Sequence, residues 1–129
     1  MRQLAKALAV FLLIYLILFG CAGPSKAADV WVDHWPSENV DWYVMDDTFA
    51  SGTDSSGPWF AVAMKRVQNG RLDKVVTWRF FKSDTRIWQY YTSSMAGGRR
   101  TGVMVPNKIF EYGMNRAGWS YSNDGMHYY

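Results

Sequence analysis

The sequence predicts an α+β domain: an antiparallel β-meander of four to six strands with one C-terminal helix packed on one face. Three observations lead there. Residues 30–93 fall into short runs rich in Val, Trp, Tyr and Phe, separated by Gly, Ser, Asn, Asp and Pro, which is the pattern of strands and turns. Asn69-Gly70 stands between two such runs, and Asn-Gly is the preferred type I′ hairpin turn because both residues tolerate positive φ. Helical periodicity concentrates in residues 106–117.

The elements follow in order. Residues 30–35 form a first strand, ended by Pro36. Residues 40–49 form a second, with Val40, Trp42 and Val44 on one face. Residues 51–58 (SGTDSSGP) have the composition of a loop. Residues 59–67, 72–82 and 86–93 supply three further strands, and 94–102 a second loop containing Gly97-Gly98-Arg99-Arg100.

A two-residue turn at Asn69-Gly70 sets the hairpin register. Val67 then faces Leu72, Arg66 faces Asp73, Lys65 faces Lys74, Ala63 faces Val76, Ala61 faces Trp78 and Trp59 faces Phe80. Paired residues share a side of the sheet. The expected core face is therefore Trp59, Ala61, Ala63, Val76, Trp78 and Phe80, with Phe60, Val62, Thr77 and Arg79 on a wetter face. A bulge would shift the register by one and exchange the faces.

In the helix, Pro106 suits the first position. Ile109, Phe110, Gly113, Met114 and Ala117 share one side, and Gly118 follows as the left-handed terminator, with Trp119 folding back on Met114. Gly113 costs about 1 kcal/mol of propensity relative to Ala and is expected to permit a close helix-to-sheet approach. Tyr121, Tyr128 and Tyr129 are expected in a final edge strand.

Ahead of this lies a different kind of segment. Arg2 and Lys6 precede an unbroken apolar run, Ala7 to Phe19; Gly20, Gly23 and Pro24 break it, and small residues follow. That order predicts a secretion signal over residues 1–27 and one exported domain over 28–129. A membrane-spanning helix needs about 20 apolar residues, more than this run supplies. Ser25-Lys26-Ala27 offers cleavage after Ala27. The alternative is Leu18-Phe19-Gly20-Cys21, which resembles a lipoprotein box and would make Cys21 a lipidated N-terminus on a membrane-anchored lipoprotein. Cys21 is the only cysteine, so a domain starting at residue 28 has no disulfide and depends on core packing.

The formal charge of +3 includes Arg2, Lys6 and Lys26. Without them eleven basic residues face eleven acidic ones, which removes the electrostatic case for a nucleic-acid partner. The balance hides an asymmetry. Residues 28–57 carry seven acidic groups and no Lys or Arg, whereas residues 58–129 carry all eleven basic groups against four acidic. Either the two segments pack together and neutralise each other, or one face is offered to an anionic partner.

The search for chemistry excludes more than it finds. Two histidines and no cysteine after residue 27 give no zinc ligand set. Asp46, Asp47 and Asp54 lack the ordered spacing of a calcium loop. The 97–102 loop lacks the Lys-Ser/Thr of a phosphate-binding loop, though its backbone and two arginines could hold an anion. His34 beside Asp33 is the only start of a hydrolase site. No cofactor is expected. The expectation is a non-catalytic exported or envelope module, binding or structural, with a cell-envelope glycan or protein as partner and membrane contact only through the signal or a lipid. The alternatives are a glycan-binding module using exposed Trp or Tyr, a small hydrolase and a protein inhibitor. Trp35 and Trp88 are the candidate stacking platforms, with Arg99 and Arg100 as further ligand-binding candidates.

Residues 28–37 (ADVWVDHWPS) and 39–45 (NVDWYVM), the stretch 71–77 (RLDKVVT), Ile109-Phe110-Glu111-Tyr112, Gly118-Trp119-Ser120-Tyr121 and the Tyr-rich end together resemble a group of small exported bacterial proteins with no function attached. The resemblance spans nearly all of residues 28–129. It implies one exported domain with cleavage near Ala27, and no catalytic residue.

Overall fold

The computed structural model describes residues 29–82 and 86–129. The expected secretion signal over residues 1–27, with the cleavage site at Ala27 and the alternative lipidation site at Cys21, lies outside the described residues. Seven strands form one antiparallel sheet: β1 (Val30–Trp35), β2 (Val40–Val44), β3 (Ala50–Asp54), β4 (Gly57–Gln68), β5 (Arg71–Phe81), β6 (Gln89–Thr92) and β7 (Thr101–Gly102). Their order is β1-β2-β4-β5-β6-β7, with β3 also paired to β4. Helix α1 (Lys108–Ala117) follows and packs against β1 and β4. Among the described residues no helix is long and apolar enough to cross a membrane.

The Asn69-Gly70 turn is as expected, with φ of 52° and 76°. It brings Gln68 opposite Arg71 and Val67 opposite Leu72. One step later the ladder shifts: Arg66 pairs with Lys74, and Asp73 is the extra residue of a β-bulge. The Arg66 guanidinium holds the Asp73 carboxylate at 2.5 Å and also reaches Glu38 at 3.2 Å. The expected register is thereby corrected from Arg66 onward, beyond the Val67–Leu72 pair. Phe60 faces Phe80, Val62 faces Trp78 and Met64 faces Val76. Val76, Trp78 and Phe80 lie in the core as expected, but their partners are Phe60, Val62 and Met64. Trp59, Ala61 and Ala63 occupy the outer face.

Other segments also differ from expectation. β2 stops at Val44, and Asp46–Thr48 form a 3-10 turn. Residues 51–58 are largely strand, because β3 and the start of β4 form a hairpin around Ser55-Ser56. The Asp54 carboxylate closes that turn by accepting from the Ser56 N–H at 2.9 Å and its hydroxyl at 2.8 Å. A composition suited to turns also suits a short edge strand whose neighbour supplies the bulk. The Trp59 ring lies across Gly52, where a Cβ would come within 3.1 Å of it.

The core is an aromatic layer between the inner sheet face and α1. Phe60 stacks on Phe80 with centroids 4.7 Å apart, and Phe110 of α1 meets both. Further along the sheet, Trp78 lies on Tyr90 at 5.1 Å and meets the edge of Trp42 at 5.7 Å. The buried indole N–H groups of Trp42 and Trp78 lack a hydrogen-bond acceptor among the described residues.

Helix α1 starts at Lys108 and not at Pro106, because Asn107 is extended and its side chain accepts the Phe110 N–H at 2.9 Å. That satisfies one of the free donors of the first turn. The helix ends as expected: Gly118 is left-handed at φ 74°, and the Trp119 N–H returns to the Met114 carbonyl at 2.9 Å. In place of a final strand, the C-terminal segment makes single bridges, Met104 to His127 and Asn123 to Tyr128.

Candidate functional site

The outer face of the β3–β6 end of the sheet carries the strongest candidate. Cross-strand pairing sets Trp59 beside Phe81 and Arg79 beside Tyr91. The Arg79 guanidinium lies over the Trp59 ring, 4.4 Å from its centroid. The Arg100 guanidinium lies over Phe81 at 5.5 Å. Phe81 and Tyr91 are themselves in contact, centroids 5.8 Å apart. These residues, with Lys82 and Asp54, line a groove of about 350 Å³.

The charge of this groove is unbalanced. Three of the six ion pairs among the described residues join the acidic first segment to the basic remainder: Asp29 with Lys65, Glu38 with Arg66 and Asp46 with Arg116. The two segments pack together and offset one another's charge at these three pairs. Arg79, Lys82 and Arg100 take no part in any of these six pairs. Among the described residues, the one carboxylate lining the groove is Asp54. Its hydrogen bonds from the Ser56 hydroxyl and N–H hold it below the usual carboxylate range, with a smaller contribution from the Arg79 charge. The groove therefore has cationic excess on an aromatic floor. Stacking on rings presets both guanidinium planes, and guanidinium forks match the oxygens of a carboxylate, sulfate or phosphate.

Of the four ligand-binding candidates from sequence, Trp35, Trp88, Arg99 and Arg100, only Arg100 lies in this groove. Arg99 is exposed beside it in the chain. Trp35 lies on the inner side of β1, half-buried, with its ring edge-on to Trp42 and its indole N–H on Asp33 at 3.2 Å. Trp88 is 3% exposed. It is packed between Phe110 and Trp119, so the expected surface platform at that position is instead a core ring. The backbone around it explains why: the Trp88 N–H bonds to the Tyr128 carbonyl and its own carbonyl takes the Val103 N–H, which closes the C-terminal segment over it.

Trp59, Arg79, Phe81 and Tyr91 were not identified as site residues from sequence. Alternation along β4 and β5 is the signal that could have found them, and the bulge at Asp73 had reversed it for Trp59.

A second polar cluster lies at the far edge of the same face. The His34 ring does not engage the Asp33 side chain; its Nδ1 meets Asp41 Oδ1 at 2.9 Å. The Asp33 carboxylate accepts the His34 N–H instead. No serine or threonine hydroxyl is hydrogen-bonded to His34 among the described residues, so the geometry there shows no nucleophile. No group of three or more His, Cys, Asp or Glu able to hold a metal ion occurs among the described residues.

No family model, no curated protein and no solved structure matches the chain.

Proposed function

We propose that this chain is a non-catalytic exported binding module whose ligand presents an oxyanion to the groove of Arg79, Lys82 and Arg100. The observation that carries this reading is three cations gathered on one aromatic floor, none of them in an ion pair among the described residues. The N-terminal charge, apolar run and small-residue site support export. The same chemistry would serve a phosphate, sulfate or carboxylate on an envelope glycan, a lipid headgroup or a protein.

The test is an NMR titration of the domain from residue 28 with inorganic phosphate, sulfate and acetate at low ionic strength. Saturable shifts are expected at the Trp59 indole and Tyr91. They should weaken with added salt, as interactions of exposed charges do, and vanish in the double variant Arg79→Gln, Arg100→Gln, while Lys108→Gln leaves them unchanged. Equal shifts in the double variant would refute the assignment.

A further inference from the structure

Trp31 alone among the seven tryptophans is exposed, at 54%. It stands on β1, at the opposite end of the sheet order from β7. An exposed indole is ordinarily free to turn; this one is held. Its Nε1 donates to Asp41 Oδ1 at 2.9 Å, and the same oxygen meets His34 Nδ1 at 2.9 Å. Trp31 pairs across the strands with Tyr43, and His34 with Asp41. Four side chains thus form two cross-strand pairs on the outer face.

The proton positions follow from charge. The hydrogen bond from Trp31, and then that from His34, hold Asp41 below the usual carboxylate range, so this ionised group only accepts. His34 must then donate from Nδ1, which leaves Nε2 for a ligand. Among the described residues, Asp41 Oδ2, His34 Nε2 and the Tyr43 hydroxyl have no hydrogen-bond partner. Lys65 lies opposite Tyr43 on β4 and is paired with Asp29 at 2.5 Å.

We infer that this cluster is a second binding site, independent of the oxyanion groove, and that it takes a neutral saccharide. A pyranose presents an apolar C–H face and a rim of hydroxyls. The fixed Trp31 ring matches the face, and Asp41, His34 and Tyr43 match the rim. Holding the ring in place before the ligand arrives lowers the ordering cost of binding. The Asp41 carboxylate opposes an anion here, whereas a neutral ligand meets no such penalty; the Lys65 ammonium beside Tyr43 is already paired with Asp29, so cations are tested as competitors.

The test follows tryptophan fluorescence of the domain from residue 28 during titration with three probes: the β-1,4-linked N-acetylglucosamine tetramer, cellotetraose and maltotetraose. At least one is expected to bind saturably. Affinity should be lost in Trp31→Ala and fall about tenfold in Asp41→Asn, which weakens the hold on the ring and one acceptor. It should be unchanged in Arg79→Gln with Arg100→Gln, which separates this site from the groove. Near-ultraviolet circular dichroism checks that the variants are folded, and Trp31→Phe, which keeps a ring but loses the N–H, should bind between wild type and Trp31→Ala. The proposal is overturned if none of the three binds at millimolar concentration, or if Trp31→Ala binds as well as wild type. It is equally overturned if choline or arginine binds at Trp31 and the saccharides do not.

Discussion

Replacing Gly113 by Ala sets two physical effects against each other. Intrinsic helix propensity favours Ala over Gly by about 0.8–1.0 kcal/mol in a helix interior, and Gly113 lies mid-helix in α1. Propensity alone therefore makes the variant more stable. Geometry gives the opposite answer. A Cβ at this position would stand 2.0 Å from Phe60 Cε2, 2.4 Å from Cζ and 2.7 Å from Cδ2. Carbon atoms rest about 3.5–4.0 Å apart. The obstacle is also a rigid ring, fully buried and stacked against Phe49 and Phe80. Moving it displaces the centre of the aromatic layer, or α1 must lift from the sheet. Overpacking costs typically about 1–3 kcal/mol and sometimes more, and this overlap belongs at the upper end. The net expectation is a loss of about 2 kcal/mol, a sizeable fraction of the roughly 5–15 kcal/mol of an ordinary domain. Urea denaturation of the two proteins, compared at equal m-value, measures it. A Gly113→Ala protein as stable as wild type, or more so, would refute the account of how α1 sits on the sheet.

Trp78→Ala should cost about 3–5 kcal/mol, as for other buried large-to-small changes, because Trp78 is 6% exposed and joins Trp42 to Tyr90. Arg79→Ala, one residue on and facing outward over Trp59, should cost far less; urea melts of both variants decide, and the reverse order would place the core on the wrong side of β5. Stability should also depend on pH through the contact between the Tyr112 hydroxyl and Asp46, to which Arg116 adds an ion pair at 3.0 Å. The Tyr112 hydrogen bond, and then Arg116, lower the Asp46 pKa from 3.8, so the stabilisation from this group is present above that value and is lost as pH falls through the lower folded one. Burial, and then Asp46, push Tyr112 from 10.0 up to about 12; its share is present below pH 10 and is lost as pH rises towards 12. Thermal melts across pH should therefore show smaller losses at both extremes in Tyr112→Phe than in wild type. The alkaline loss should remain in part, because Tyr128 is also raised to about 12, chiefly by burial. Identical profiles for the two proteins would rule out the contact.

What can be known from sequence alone is what adjacent residues decide among themselves. Asn69-Gly70 turns the chain because both residues accept positive φ, whatever surrounds them. Gly118 ends α1 for the same local reason. The inner faces of β2 and β5 follow from alternation within single strands, and Val40, Trp42, Val44, Val76, Trp78 and Phe80 are all buried as that alternation requires. The helix side formed by Ile109, Phe110, Gly113 and Met114 follows from its period. The inner face of β4 needed the tertiary structure. Its identity passes across the hairpin from β5, and one extra residue at Asp73 reverses it. That bulge is accompanied by an ion pair to Arg66, which Glu38 shares from a distant part of the chain, and no local pattern announces it. Residues 51–58 became strand for a similar reason: β4 supplies the ladder and Trp59 the bulk that Gly52 lacks. The candidate sites belong to the same class. Arg79 and Arg100 are far apart in sequence, as are Trp59 and Phe81, and Trp31, His34 and Asp41 have a shared role only once β1 lies beside β2. Each side chain has an ordinary local meaning; the sheet decides which of them meet.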